Sequence, residues 1–114
     1  MARPIEHAKS SARKLGGVPE DYQRIHDWFE ESKSQVADFR HRALRHHAEG
    51  IYQAERLFGL AIENSDGKRI PVRYIGEQRV REDPGRIPSF QDWITELPIR
   101  PWMYGQRLTI SQKL

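Results

Sequence analysis

Residues 32–58, SKSQVADFRHRALRHHAEGIYQAERLF, decide the fold. No proline interrupts them, Ser32 and Gln35 have capping-box spacing, and Gly59 offers a stop. Val36, Ala43, His47, Ile51, Ala54 and Phe58 recur at steps of three, four or seven residues, the pattern of one buried helical face. The stretch predicts one long central helix carrying three of the five histidines. Gly50 lies inside it, where glycine costs about 1 kcal/mol relative to alanine. Its presence there implies close approach by another element or a ligand.

Working outward, Ile5, Ala8, Ala12 and Leu15 predict a short helix over residues 5–15, stopped by Gly16-Gly17. Pro19, Glu20 and Asp21 suit the first turn of a second helix. Its apolar stripe is Tyr22, Ile25, Trp28 and Phe29, with His26, Asp27, Glu30 and Glu31 beside or opposite. On the other side, Asn64-Ser65-Asp66-Gly67 is turn chemistry between two short β-prone runs and predicts a hairpin near residues 60–74. Pro71 puts its second strand at an edge. Residues 75–83 suit a helical turn or two. Ser89 and Asp92 predict another helix start, with Phe90, Trp93, Ile94 and Leu97 as its buried face. Residues 98–114 read as an irregular tail, with Trp102 and Met103 docked on the core. The fold class is mainly α with a small β-hairpin (α+β). It is one domain over 1–114 with its helical core at 5–97.

Composition bounds the function. At 114 residues, 37% apolar and 31% charged, one core is feasible and two are not. The absence of cysteine removes disulfides, thiolate metal sites and cysteine nucleophiles. No run approaches the ~18 apolar residues of a membrane span, and the first residues lack a secretory h-region, so the expected address is cytoplasmic. The net charge of +3 is spread among acids, which makes nucleic acid a less favoured partner than a protein or small molecule. No membrane partner is expected, and a homo-oligomer stays open. Zincin, P-loop, G-x-G-x-x-G, EF-hand and nucleophile-elbow patterns are absent.

Chemistry, if present, centres on the histidines. Asp38 and His41 are i, i+3 neighbours, whereas His41 and His46 diverge by about 140° on a helix. A metal site therefore needs ligands from a second element. Candidate ligands are His41 and His46 with Glu77, Glu82 or Asp83. Imidazole and carboxylate without thiolate suit Zn²⁺, Mn²⁺ or Fe²⁺. Such an ion could activate water for hydrolysis of a phosphate-containing small molecule. His26, His41 and Asp38 are the acid–base candidates, and Arg40 and Arg42 the phosphate clamp. His47 shares the apolar face and is read as a core histidine. The alternative is an accessory protein that binds a host protein, with the histidines forming a buried hydrogen-bonded network. A nucleic-acid-binding module is the third reading.

The stretches PEDYQRIHDWFEESK, ADFRHRALRHHAEGIY, ERLFGLAIENSDGKRIPVR and GEQRVREDPGRIPSFQDW together resemble an uncharacterised family of small bacterial and phage proteins, a domain of unknown function. The resemblance covers residues 5–103 and implies no activity. It singles out Asp38, Arg40, His41, Arg42, Ala43, His46, Gly50, Glu55, Phe58 and Gly59, then Glu77, Val80, Glu82, Asp83, Gly85, Ile87, Pro88 and Ser89. It also implies a histidine where this chain has Arg79 and a leucine where it has Pro84. Arg79 would suit an anion better than a metal ion.

Overall fold

The structure, a computed structural model, describes residues 3–105. Its first helix, α1 (Pro4–Leu15), has Pro4 at its opening, where the missing N–H costs nothing, and ends at Gly16, whose N–H bonds the Ala12 carbonyl. A 3-10 turn over Pro19–Asp21 leads into α2 (Gln23–Glu31). Two short strands, β1 (Ala61–Glu63) and β2 (Arg69–Pro71), pair antiparallel with Ile62 opposite Ile70. The Asn64 side chain organises the turn by accepting from the Asp66 and Lys68 N–H groups. Asp21 accepts from the Ser65 N–H and hydroxyl, which ties the hairpin to the start of α2.

The mainly helical fold with one hairpin matches the sequence, but the long central helix does not. Residues 32–58 are broken into a 3-10 turn at Ser32–Ser34, another at Phe39–His41, the single turn α3 (Arg42–Arg45) and α4 (Ala48–Phe58). The break falls at His46 and His47, where the backbone leaves helical space. His47 caps α4: its Nδ1 accepts from the Gly50 N–H at 2.9 Å. The Ala48 N–H turns to the Pro88 carbonyl instead of a carbonyl of its own helix. Gly50 is required by this bend, because a Cβ there would sit 1.8 Å from the Arg45 carbonyl oxygen. The close approach implied by the sequence is thus real, but the approaching element is the chain just upstream. Ser32 and Gln35 form no capping box: the Ser32 hydroxyl meets His41 Nδ1 at 2.9 Å, and only its carbonyl accepts from the Gln35 N–H.

The central element is α5 (Val72–Glu82), which packs on α1, α2 and α4. It replaces the second half of the expected longer strand and the expected short turn, because Pro71 ends β2 and serves as the N-cap of α5. Gly76 lets α4 approach; a Cβ there would lie 3.0 Å from Ile51 Cγ2. The apolar core comprises Ala8, Tyr22, Ile25, Phe29, Ile51, Ala54, Ile70, Val72, Ile75 and Val80. Among the described residues these apolar side chains are matched one for one by buried polar ones, which include all five histidines.

Helix α6 (Phe90–Ile94) starts with the expected Ser89–Asp92 capping box. Its apolar side chains are only partly covered, however, and Leu97 is exposed. The expected docking of Trp102 and Met103 is also overturned: residues 98–105, which include a 3-10 turn at Pro101–Tyr104, are exposed throughout. Proline at 98 and 101 favours extended backbone before each and withholds the N–H groups that a return onto the core would use. The tail beyond residue 105 lies outside the described residues.

A buried histidine–arginine cluster as candidate functional site

Two helices carry polar residues at helical spacing toward each other. Helix α1 presents His7, Ser10, Ser11 and Lys14, and α5 with the residue after it presents Gln78, Arg79, Glu82 and Asp83. His26 comes from α2, and His41 and His46 from the segment flanking α3. Buried polar groups need partners, and here most have them.

Arg79 is the hub. Its side chain is fully buried. Nε donates to Asp83 Oδ2 at 3.1 Å, one terminal nitrogen to the His26 carbonyl at 2.8 Å, and the other to Glu30 Oε1 at 3.0 Å. Burial pulls its pKa down and Asp83 and Glu30 oppose that, but a guanidinium keeps its proton in a protein. Asp83 also accepts from His46 Nε2 at 2.9 Å, with His7 Nε2 3.2 Å from its other oxygen and Arg42 at 3.7 Å. Burial would raise the Asp83 pKa; the hydrogen bond from His46, the adjacent His7 ring and the Arg79 charge outweigh it and hold the carboxyl ionised. Glu82 is held in the same way. It accepts from Ser10, His7, Lys14 and Gln78, and against the opposing effect of burial these bring its pKa down to about 2.

The hydrogen-bond directions fix one histidine tautomer. Gln78 Nε2 donates to Glu82 and to the His7 carbonyl, so its Oε1 must accept from Ser11. The Ser11 hydroxyl, with its proton used, accepts from His26 Nε2–H at 2.7 Å. His26 Nδ1 is then a bare lone pair 3.4 Å from the Arg79 guanidinium. Burial, followed by the Arg79 charge and His7, pushes the His26 pKa down to about 3. Burial likewise lowers His41 and His46. His46 is sandwiched edge-on by Phe29 and His41, each ring centroid 5.5 Å away. Buried ring atoms His41 Nε2 and His46 Nδ1 have no partner in the structure.

The structure therefore brings together six of the residues singled out by sequence, His26, His41, His46, Arg79, Glu82 and Asp83, with Arg42 at the edge. It does not bring in Asp38, Arg40 or Glu77. Asp38 caps the Phe39–His41 turn and forms an exposed ion pair with Arg40, whose side-chain and backbone hydrogen bonds hold the Asp38 pKa at about 2. Glu77 lies on another face of α5, near Arg73. His7, Ser10, Ser11 and Gln78 were missed by sequence reading. Their i, i+3 and i+4 spacing was visible, but a polar helical stripe ordinarily means a solvated face. Among the described residues, no group of three or more histidines and carboxylates is placed to hold a metal ion.

A second feature lies apart from the cluster. Val36, Phe39, Ala43 and Leu44 on one side, and Trp93, Ile94 and Leu97 on the other, line an apolar groove of ≈ 630 Å³. Trp93 is anchored there by its Nε1–H to the His46 carbonyl at 3.1 Å, so one wall of the groove hangs from the cluster.

Fold and site together define a small α+β domain with a charged and imidazole-rich centre. The chain belongs to the family described as Domain of unknown function (DUF6915), whose model matches residues 2–103. No similar curated protein and no similar solved structure was found. No described helix is long and apolar enough to cross a membrane.

Proposed function

We propose that the chain is a non-enzymatic interaction module that binds a partner protein through its apolar groove. The carrying observation is the pairing of an open apolar groove with a closed titratable cluster. Its rings and guanidinium are buried, while the groove exposes Phe39, Leu44 and Leu97. In this reading the cluster is an internal clamp that fixes α1, α2, α5 and the α3 segment, and through Trp93 the groove wall. The test is a pull-down with tag-free chain immobilised through its amines. Wild type and His41→Ala should recover the same stoichiometric protein, chelator should have no effect, and Leu44→Asp should recover none. Equal recovery by Leu44→Asp refutes the groove as the binding surface.

A second reading, a divalent-metal hydrolase centre, is supported by the two imidazoles, His7 and His46, that meet the two oxygens of Asp83. Elemental analysis tests it. Substoichiometric metal, with no thermal shift on adding Zn²⁺ or Mn²⁺, would remove it.

A further inference from the structure

We infer that residues 98–105 form an arm that docks in the apolar groove of a second copy of this chain, so that two copies exchange arms. This rests on the interaction reading above and names its partner. The arm begins where the groove ends: Leu97 lines the groove and Pro98 follows it directly. Ile99 is 73% exposed, Trp102 76%, Met103 42% and Tyr104 47%. Four large apolar side chains in six residues are a contact surface without a contact.

The arm's own groove is out of easy reach. Filling it would take a tight reversal immediately after Leu97. The steps into Pro98 and Pro101 favour extended backbone, and Arg100 is extended. A second copy meets no such restriction. A two-fold axis beside the groove would send each arm into the other's groove, an isologous exchange in which each surface is used twice.

Area favours the reciprocal arrangement over one arm docked on an unrelated protein. From these exposures, one arm offers roughly 400 Å² of apolar surface, given about 150–250 Å² per aromatic side chain. One arm in one groove buries roughly 600 Å² in total, no more than a packing contact, whereas two arms bury roughly 1,200 Å², the lower end of the range for a specific interface. Charge agrees. Arg40 at the groove is neutralised by Asp38, which leaves Glu96 as the groove's charge without an ion-pair partner among the described residues. Arg100 on the arm is its complement.

Sedimentation equilibrium over a concentration series tests the exchange. Wild type should run at twice 13.4 kDa. Trp102→Ser with Ile99→Ser should run at the monomer mass with an unchanged circular dichroism spectrum, since both side chains lie outside the core. The chain has no cysteine, so thiol cross-linking has no background. An equimolar mixture of Leu44→Cys and Trp102→Cys should cross-link with a short bifunctional thiol reagent, and neither variant alone should do so. A wild-type monomer throughout the series overturns the inference, as does a dimer that survives the arm substitutions or cross-links through Trp102→Cys alone. A monomer that still recovers a partner through Leu44 would sink the arm exchange and leave the interaction module standing. A monomer that recovers none would sink both.

Discussion

Acidification from pH 7 to pH 5 should destabilise this domain, and His26 should account for a definable part of the loss. The folded protein keeps His26 neutral, with Nε2–H on Ser11 and the Nδ1 lone pair toward Arg79. Its pKa is about 3 in the fold against an ordinary 6.5. The unfolded chain takes up a proton as the pH falls through 6.5, and the folded chain does not until about 3. The stabilisation is therefore complete above pH 6.5 and lost progressively below it. At about 1.36 kcal/mol per unit, His26 alone accounts for ~2 kcal/mol between pH 7 and 5 and approaches ~5 kcal/mol near pH 3. His41 and His46 are shifted the same way and add to the loss. Glu82 and Asp83, lowered from 4.5 and 3.8, also lose stabilisation on acidification, but mostly below pH 5. The pH 7–5 window is thus a histidine window. Urea unfolding followed by tryptophan fluorescence at pH 7, 6 and 5 measures it. His26→Gln keeps an amide donor for Ser11 and cannot titrate, so its pH 7–5 loss should be smaller than wild type's by ~2 kcal/mol. Equal losses in the two proteins would refute a buried neutral His26.

Two further outcomes follow from the same geometry. Arg79→Met should cost about 3–5 kcal/mol at pH 7, because it leaves the Asp83 and Glu30 carboxylates without their buried counter-charge; adding Asp83→Asn should recover part of that, and a loss below about 1 kcal/mol in urea titration would mean that water already shares the site. Gly50→Ala should destabilise by at least ~1–3 kcal/mol, since its Cβ would meet the Arg45 carbonyl, although a continuous helix through residue 50 would gain from alanine; a rise in melting temperature would refute the break at His46-His47.

The elements legible in the sequence were those with ordinary punctuation. Gly16-Gly17 closed α1, Pro19 opened the turn before α2, Asn64–Gly67 made the hairpin, and Ser89 with Asp92 opened α6. The break in residues 32–58 had none. Its cap is an imidazole, and histidine is not among the side chains that announce a helix start. The apolar rhythm also ran through the break, because His47 occupies the position of a core residue. The site was half legible for a related reason. Histidines draw attention, so His26, His41 and His46 were named, and Asp83 followed as a carboxylate within reach. Burial of an arginine is rare and cannot be read from its neighbours, so Arg79 passed as an anion binder when it is the cation that the cluster is built around. Asp38 and Arg40 were drawn in by adjacency to His41, but a turn over residues 39–41 points them to solvent.

The mixed character of the core has a thermal consequence. Apolar surface raises the heat capacity on unfolding and polar surface lowers it. A domain that hides, among its described residues, as many polar ones as apolar ones should therefore unfold with a heat-capacity increment below the usual ~12–15 cal/mol/K per residue. Its stability curve should be broad and shallow. Such a protein would change little in stability between cold and warm surroundings and would resist cold denaturation, while remaining sensitive to acid.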